Sequence, residues 1–185
     1  MAPGVSDPSA PLTEFLAQLG MKEIHHTEKT YLDHLVAVYK GLESWGCAQE
    51  VCAAGMFHSI YGTERFSKFT LPLERRADVA LLIGERGERL AYANCVMDRT
   101  SFDQAVLERR GPYRFRNRWN GETIEMDEAD FEDVCRVHLC DWLEQVPRSK
   151  QWKYRREAYR RLAARLGPWA EEAHRNVYAA EEPRG

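Results

Sequence analysis

Apolar residues recur every three or four positions along most of this chain, which is the spacing of one face of an α-helix. From Thr30 to Trp45 the leucines and valines keep that spacing, and Gly46 supplies a C-terminal stop. The following segment, from about Gln49 to Tyr61, is apolar nearly all round. A helix of that composition belongs in the interior, so the pattern predicts a central, buried helix there.

The same periodicity predicts further helices on both sides of this pair. They cover Leu12–Leu19, one long helix or two from Leu71 to Arg99, about Glu128–Val146, about Trp152–Leu166, and Trp169 to about Ala179. Gly84 and Gly87 are the points where the long segment would break, because glycine inside a helix costs about 1 kcal/mol relative to alanine. Asp127 is a predicted helix cap, and Pro147 a predicted stop.

One segment alternates between apolar and polar residues instead. It runs from about residue 113 to 126 around Asn120-Gly121, the favoured dipeptide for a two-residue hairpin turn. A lone hairpin is only marginally stable and must therefore pack on the helices. The sequence thus predicts an all-α fold with one β-hairpin insertion. It forms a single helical domain over residues 11–180, preceded by a flexible N-terminal arm of residues 1–10.

Composition and charge exclude several function classes. The formal net charge of −3 provides no basic surface for nucleic acid, and no apolar stretch approaches the roughly 20 residues that a membrane helix needs. The N-terminus lacks a signal-peptide pattern, and the five cysteines form no CxxC pair. We therefore expect a cytoplasmic protein with reduced core thiols. Its partner would be a small-molecule substrate, neither nucleic acid nor membrane, with a homodimer left open.

Two histidines fall within the first pair of predicted helices. His34 and His58 are 24 positions apart, which suits two antiparallel helices joined by a short turn around Gly46. Neutral imidazole is the commonest metal ligand, and helical bundles often build metal sites from inward side chains on facing helices. Two unrelated, hydrogen-bonded core histidines would satisfy the same pattern.

Carboxylates supply further candidates for a site. Asp141 lies on a mostly apolar helix, so burying its charge costs free energy unless the carboxylate is paired or bound to a metal. His138, three residues earlier, is either a neighbour of Asp141 in the site or a half-exposed histidine. Glu64 follows the buried helix just after Gly62, where a catalytic or orienting group could stand. Asp98 is expected at an exposed helix terminus.

The stretch YLDHLVAVYKGLESWGCAQEVCAAGMFHSIYGTE, residues 31–64, resembles the first two metal-ligand helices of HD-domain phosphohydrolases, particularly the RelA/SpoT-type hydrolase domain. VHLCDWLEQV, residues 137–146, is similar to the late helix that carries the last aspartate ligand of that family. The resemblance implies an HD-domain-like helical bundle with His34, His58 and Asp141 as metal ligands. The phrase FHSIYGTE is also similar to an HD-like family without an assigned function.

One departure from the HD pattern bears on the chemistry. Ser59 stands where that family has the aspartate that ligates metal and holds the attacking water, and a neutral hydroxyl is a poor replacement for a carboxylate at a divalent ion. The remaining two histidines and one carboxylate suit non-haem iron and catalytic zinc, so iron, manganese or zinc is the expected cofactor. His26, eight positions before His34, is a candidate fourth ligand or catalytic group.

Three hypotheses about function follow. The first is an HD-like, metal-dependent enzyme acting on a small phosphorylated or carboxylated substrate, as a hydrolase or as an iron-dependent oxygenase, with Glu64 as a catalytic group. Lys29, Arg65 and Arg99 would then bind the anionic group. The second is a degenerate, non-catalytic HD-like module that binds a small ligand or a protein partner. The third is a metal-free acid–base enzyme built on a His–Asp pair.

Overall fold

The computed structural model describes residues 7–23, 25–26 and 29–181, and within them the chain is mostly helical. Nine α-helices lie in this part of the chain: α1 (Ala10–Gln18), α2 (Tyr31–Ser44), α3 (Gln49–Met56), α4 (Arg76–Ile83), α5 (Glu85–Val96), α6 (Arg99–Leu107), α7 (Glu128–Ser149), α8 (Arg156–Leu166) and α9 (Pro168–Tyr178). The predicted all-α class with one β-hairpin at residues 113–126 is confirmed. The described residues also contain a two-residue strand pair before α2, β1 (His25–His26) with β2 (Lys29–Thr30).

Four helices form the centre of the molecule. α2 packs against α3 and α7, and α5 packs against the same two helices. Each contributes fully buried apolar side chains, among them Val38, Ala54, Leu90 and Val134. The prediction of a central, buried helix that begins near Gln49 is therefore confirmed. This packing brings the inner face of α2, the end of α3 and the middle of α7 to one place.

The close contact between α2 and α3 depends on a glycine. A Cβ atom added to Gly55 on α3 would lie 2.2 Å from Cδ1 of Leu42 on α2, well inside van der Waals contact. Leu42 is fully buried, so it has little room to move aside. Gly55 thus lets the two backbones approach at the level of the histidines.

Two predicted helix ends were wrong. α3 ends at Met56 rather than at Tyr61, because the imidazole and the backbone N–H of His58 both turn back to the Gly55 carbonyl. α7 does not stop before Pro147 but continues to Ser149. In that last turn the Arg148 guanidinium donates a hydrogen bond to the Glu144 carbonyl at 2.7 Å, which helps to hold the helix beyond the proline.

The predicted long segment from Leu71 to Arg99 contains two helices, and a further helix follows it. Gly84, with φ of +82°, separates α4 from α5, as one of the two predicted breaks. α6 was not predicted, although Asp98 caps it by accepting a hydrogen bond from the Ser101 N–H at 2.9 Å. α8 begins at Arg156 rather than at Trp152, because Arg155 has a left-handed backbone with φ of +44°.

The hairpin consists of β3 (Tyr113–Arg116) and β4 (Thr123–Met126), and it packs on α6 and α7. The predicted two-residue turn at Asn120-Gly121 is wrong, because the last pair is Arg116 with Thr123 and the connection spans residues 117–122. Asn117 is buried and pairs with Met97 at the end of α5. The Asn117 N–H still donates to the Glu122 carbonyl at 2.8 Å, so the turn itself consists of residues 118–121.

Other expectations concern the chain as a whole. The predicted N-terminal arm lies mostly outside the described residues, and α1 already begins at Ala10. All five cysteines are unpaired thiols, four of them buried. Among the helices of the described residues, none combines the length and the apolar character needed to cross a bilayer.

Candidate metal centre

His34, His58 and Asp141, the three predicted metal ligands, lie side by side. His34 belongs to α2, His58 follows the end of α3, and Asp141 lies in the middle of α7. Oδ1 of Asp141 is 3.2 Å from Nε2 of His34 and 3.3 Å from Nε2 of His58. Two ligands bound to one ion at about 2.0–2.2 Å lie about 3.0–3.5 Å apart, so these separations already have the size that a shared ion requires.

The first turn of α2 is fixed by a capping box. The Thr30 hydroxyl accepts a hydrogen bond from the Asp33 N–H, and the Asp33 carboxylate accepts one from the Thr30 N–H. Tyr31 and His34, one turn apart and both buried, are thereby presented on the same face of the helix. A local sequence signal thus positions one of the ligands.

Both imidazoles direct Nδ1 away from Asp141. Nδ1 of His58 donates a hydrogen bond to the Gly55 carbonyl at 2.7 Å, and Nδ1 of His34 donates one to the Glu144 carboxylate. Each Nδ1 therefore holds a proton, and each Nε2 faces Asp141 with a lone pair or a second proton. Three lone pairs directed at one point would repel, so the arrangement calls for a cation there, either a proton on an imidazole or a metal ion.

Glu144 is a site residue that the sequence reasoning missed. Its carboxylate contacts His34 and is itself held by Arg148 through two hydrogen bonds, one of them from Nη1 to Oε1 at 2.7 Å. Glu144 lies three residues after Asp141 on α7, and residues at that spacing share a helix face, so the signal was available. A carboxylate on the outer nitrogen fixes the orientation of a ligating imidazole and increases its basicity.

The electrostatics of the cluster favour an ionised carboxylate beside a cation. Burial disfavours the charge of Asp141, but the charge of His58 and hydrogen bonds from His34 and His58 hold its pKa well below the ordinary value. Burial also disfavours a charged His34, yet its hydrogen bonds to Asp141 and Glu144 outweigh that effect and raise its pKa. A positive charge at this point is therefore stabilised from several sides.

The cluster lines a cavity of about 220 Å³. Arg65 and Arg99, both predicted to bind an anionic group, line the same cavity, as does Lys68. The guanidinium of Arg65 lies 4.1 Å from the centre of the Tyr154 ring, and Nη1 of Arg99 donates to the Tyr154 hydroxyl at 2.7 Å. A larger cleft of about 680 Å³ beside α1 is lined without histidine, cysteine or arginine.

Ser59 also lines this cavity, next to His58. Its Oγ is 2.6 Å from the Tyr31 hydroxyl, and both side chains are buried. Burial raises the pKa of the Tyr31 phenol far above its ordinary value, so the phenol stays protonated. The position beside His58 therefore presents a neutral pair of hydroxyl groups to the cavity.

The remaining predicted site residues are not part of this cluster in the described structure. Glu64 does not line the cavity, and its carboxylate accepts a hydrogen bond from the Arg99 N–H at 2.9 Å. His138 is buried with Nε2 3.4 Å from the Tyr159 hydroxyl, so it is a core histidine and not a half-exposed one. The side chains of His26 and Lys29 lie outside the described part of the chain. The roles of Glu64, His26 and Lys29 stay predictions.

Fold and site together define a mostly helical protein with a buried His-His-Asp group that could hold a metal ion. Residues 15–99 match the model of a family described as a domain of unknown function (DUF6817). The matched region includes His34, His58 and the FHSIYGTE stretch, and it ends before Asp141. Neither the curated proteins nor the solved structures contain a significant match to this chain. The family description states no activity, so function has to be inferred from the site.

Proposed function

We propose that this protein is an HD-like, metal-dependent enzyme that acts on a small anionic substrate. The observation that carries the proposal is the convergence of two Nε2 atoms on Asp141 Oδ1 while both Nδ1 protons are donated elsewhere. His34, His58 and Asp141 would hold the ion, which supplies a Lewis acid that polarises a substrate oxygen. Two imidazoles and one carboxylate suit zinc, manganese and iron, and three protein ligands leave room for substrate.

The resemblance to HD-domain hydrolases supports the same ligand set. The motif residues of that family fall on His34, His58 and Asp141, which are separated by up to 107 positions in the chain. In the described structure one possible ligand atom of each residue lies within 4.8 Å of the other two. Because the motif and the geometry agree, a metal site explains the cluster better than a chance meeting of core histidines does.

The cations of the cavity support an anionic substrate. The Arg99 side chain is only 11% exposed, and Arg65 and Lys68 line the same space. Guanidinium groups bind carboxylate and phosphate through strong, charge-assisted hydrogen bonds. Ser59, which replaces the water-holding aspartate of the HD hydrolases, makes the identity of the metal decisive: zinc or manganese favours hydrolysis, and iron favours oxidation.

Metal analysis of protein purified without chelator tests this proposal. We expect about one equivalent of iron, manganese or zinc per chain, and its loss in His34→Ala and Asp141→Asn. The matched control is His174→Ala, which removes a buried histidine that stacks on Tyr178 in the last helices, away from the cluster. A folded protein that takes up none of the three metals after reconstitution contradicts the proposal.

A second function is favoured by one observation, the neutral Tyr31–Ser59 pair where HD enzymes have a carboxylate. With a proton on His34, the cluster is electrostatically satisfied without a metal. The protein would then be a non-catalytic HD-like module that binds a small ligand or a partner protein. In that case His34→Ala and Asp141→Asn change stability alone.

A further inference from the structure

We propose that the cavity selects a small hydroxylated oxyanion, a molecule that carries a phosphate or carboxylate group at one end and an alcohol group at the other. This inference rests on the proposed function and specifies its substrate class. Three features carry it: the two guanidinium groups of Arg65 and Arg99, a neutral hydroxyl pair at Tyr31 and Ser59, and the small volume of the cavity.

Among the described residues, neither Arg65 nor Arg99 makes an ion pair with a carboxylate at less than 3.9 Å. In this part of the chain, the Arg65 guanidinium contacts two neutral groups, the side-chain amide oxygen of Gln151 and the ring of Tyr154. The ion pair of Arg99 with Glu64 is long, at 3.9 Å. Because both guanidinium groups contact the same Tyr154 side chain, they lie close enough to bind one oxyanion together.

The Tyr31–Ser59 pair offers a different kind of recognition. Either oxygen can donate in the 2.6 Å hydrogen bond between the two hydroxyl groups, and Ser59 lines the cavity with an uncharged hydroxyl. Ser59 stands beside His58, at the proposed metal centre. A neutral donor and acceptor pair matches an alcohol oxygen and offers no charge to a second anionic group.

The volume and the lining limit the rest of the molecule. A cavity of about 220 Å³ is below the roughly 300–1,000 Å³ that holds drug-sized ligands, so a nucleotide with its base and ribose would not fit inside. Thr63, Gln145, Ser149 and Gln151 also line it. These polar side chains suit a molecule that is hydroxylated along its length, while Phe66, Trp142 and Tyr159 supply apolar surface for its carbon skeleton.

Calorimetric titration of protein whose metal content has been measured tests the inference. Glycerol 3-phosphate and glycerate represent the phosphate and carboxylate forms of the ligand. Propyl phosphate has the anion without hydroxyls, glycerol has hydroxyls without the anion, and adenosine 5′-monophosphate is too large. We expect glycerol 3-phosphate or glycerate to bind at least about tenfold more tightly than each of the other three, a difference that one or two hydrogen bonds can provide.

Two variants test separately how the anionic end and the alcohol end of the ligand are recognised. Arg65→Gln should weaken the binding of the preferred hydroxylated anion about tenfold. Ser59→Ala should reduce the ratio of its affinity to that of propyl phosphate, while propyl phosphate itself binds as it does to the wild type. Arg114→Gln is the matched control, an exposed arginine on the hairpin that pairs with Glu125. Binding of propyl phosphate as tight as that of the better of glycerol 3-phosphate and glycerate, or tighter binding of the nucleotide than of both, overturns the inference whether or not metal is present. The proposed function is tested separately, by the metal content of the protein alone.

Discussion

The buried histidines are of two kinds, which differ in the contacts of their ring nitrogens. His34 and His58 each donate Nδ1 to an acceptor and turn Nε2 towards Asp141. His138 lies three residues before Asp141 on α7, but its Nδ1 has no hydrogen-bond partner among the described residues. The first kind is oriented as metal ligands are, whereas burial and the nearby Arg99 and Arg155 disfavour a proton on the second.

Glu144→Gln should weaken metal binding about 10- to 100-fold, because glutamine cannot supply the negative charge that makes His34 a stronger ligand. Competition with a chromophoric chelator measures the dissociation constant directly. Glu132→Gln is the matched control on the same helix, since Glu132 is a partly exposed residue that pairs with Arg136. Equal affinities of the wild type and Glu144→Gln would show that Glu144 has no such role.

His138 should make the protein less stable in acid. Burial first, and then the charges of Arg99 and Arg155, hold its pKa well below 6.5, although Asp141 acts in the opposite direction. Below about pH 6.5 the unfolded chain therefore binds a proton that the native state excludes, and stability falls by at most about 1.4 kcal/mol per pH unit.

Urea unfolding of wild type and His138→Phe at pH 7.5 and pH 5 measures this contribution. The advantage of the wild type over the variant should shrink as the pH falls, because phenylalanine has no proton to bind. The opposite trend of His34 and the similar trend of His174 are present in both proteins and cancel. Parallel pH profiles would contradict the prediction.

Among the elements, the α2–α3 pair sets the geometry of the site. Gly55 allows the close approach of the two helices, and its carbonyl also accepts the hydrogen bond from His58. The same residue therefore shapes the packing and fixes the direction of a proposed ligand. A substitution here should disturb stability first and the site second.

Gly55→Ala should destabilise the protein by about 1–3 kcal/mol, because the new methyl group overlaps the Leu42 side chain in a filled core. The midpoint of urea unfolding measures this change. In a Leu42→Ala background the overlap is removed, so the same substitution should have a much smaller effect. Equal effects in both backgrounds would place the cause elsewhere.

At the scale of the whole molecule, the cluster joins three parts of the chain that are far apart in sequence. His34, His58 and Asp141 come from α2, the turn after α3, and α7, which pack together at the centre. A metal ion held by all three would bind the native state and not the unfolded chain. Metal binding should therefore appear as global stability.

Saturating metal should raise the melting temperature by about 5–10 °C. An ion present at 100 times its dissociation constant contributes about 2.7 kcal/mol, and each kcal/mol is worth about 2–4 °C at this chain length. Thermal unfolding with added metal and with chelator measures the shift. Asp141→Asn should show none, and an equal shift in that variant would place the binding elsewhere.

Much of this structure could be predicted from local patterns. The apolar spacing from Thr30 to Trp45 matches α2 closely, and the alternation between residues 113 and 126 locates the hairpin. The errors occur at the ends of elements, where hydrogen bonds of single residues set the boundary. His58 ends α3 early by bonding Gly55, and the Asn117 N–H donates to the Glu122 carbonyl, which leaves a turn longer than two residues.

The sequence by itself determined the helical class, because periodicity is a local property, and the resemblance of two of its segments to HD-domain helices named His34, His58 and Asp141 as a group. Only the tertiary structure decided that Glu144 orients His34, that Tyr31 pairs with Ser59, and that two arginines meet at Tyr154. Those contacts join residues far apart in the chain. Their geometry depends on how closely α2, α3 and α7 pack, which no single segment specifies.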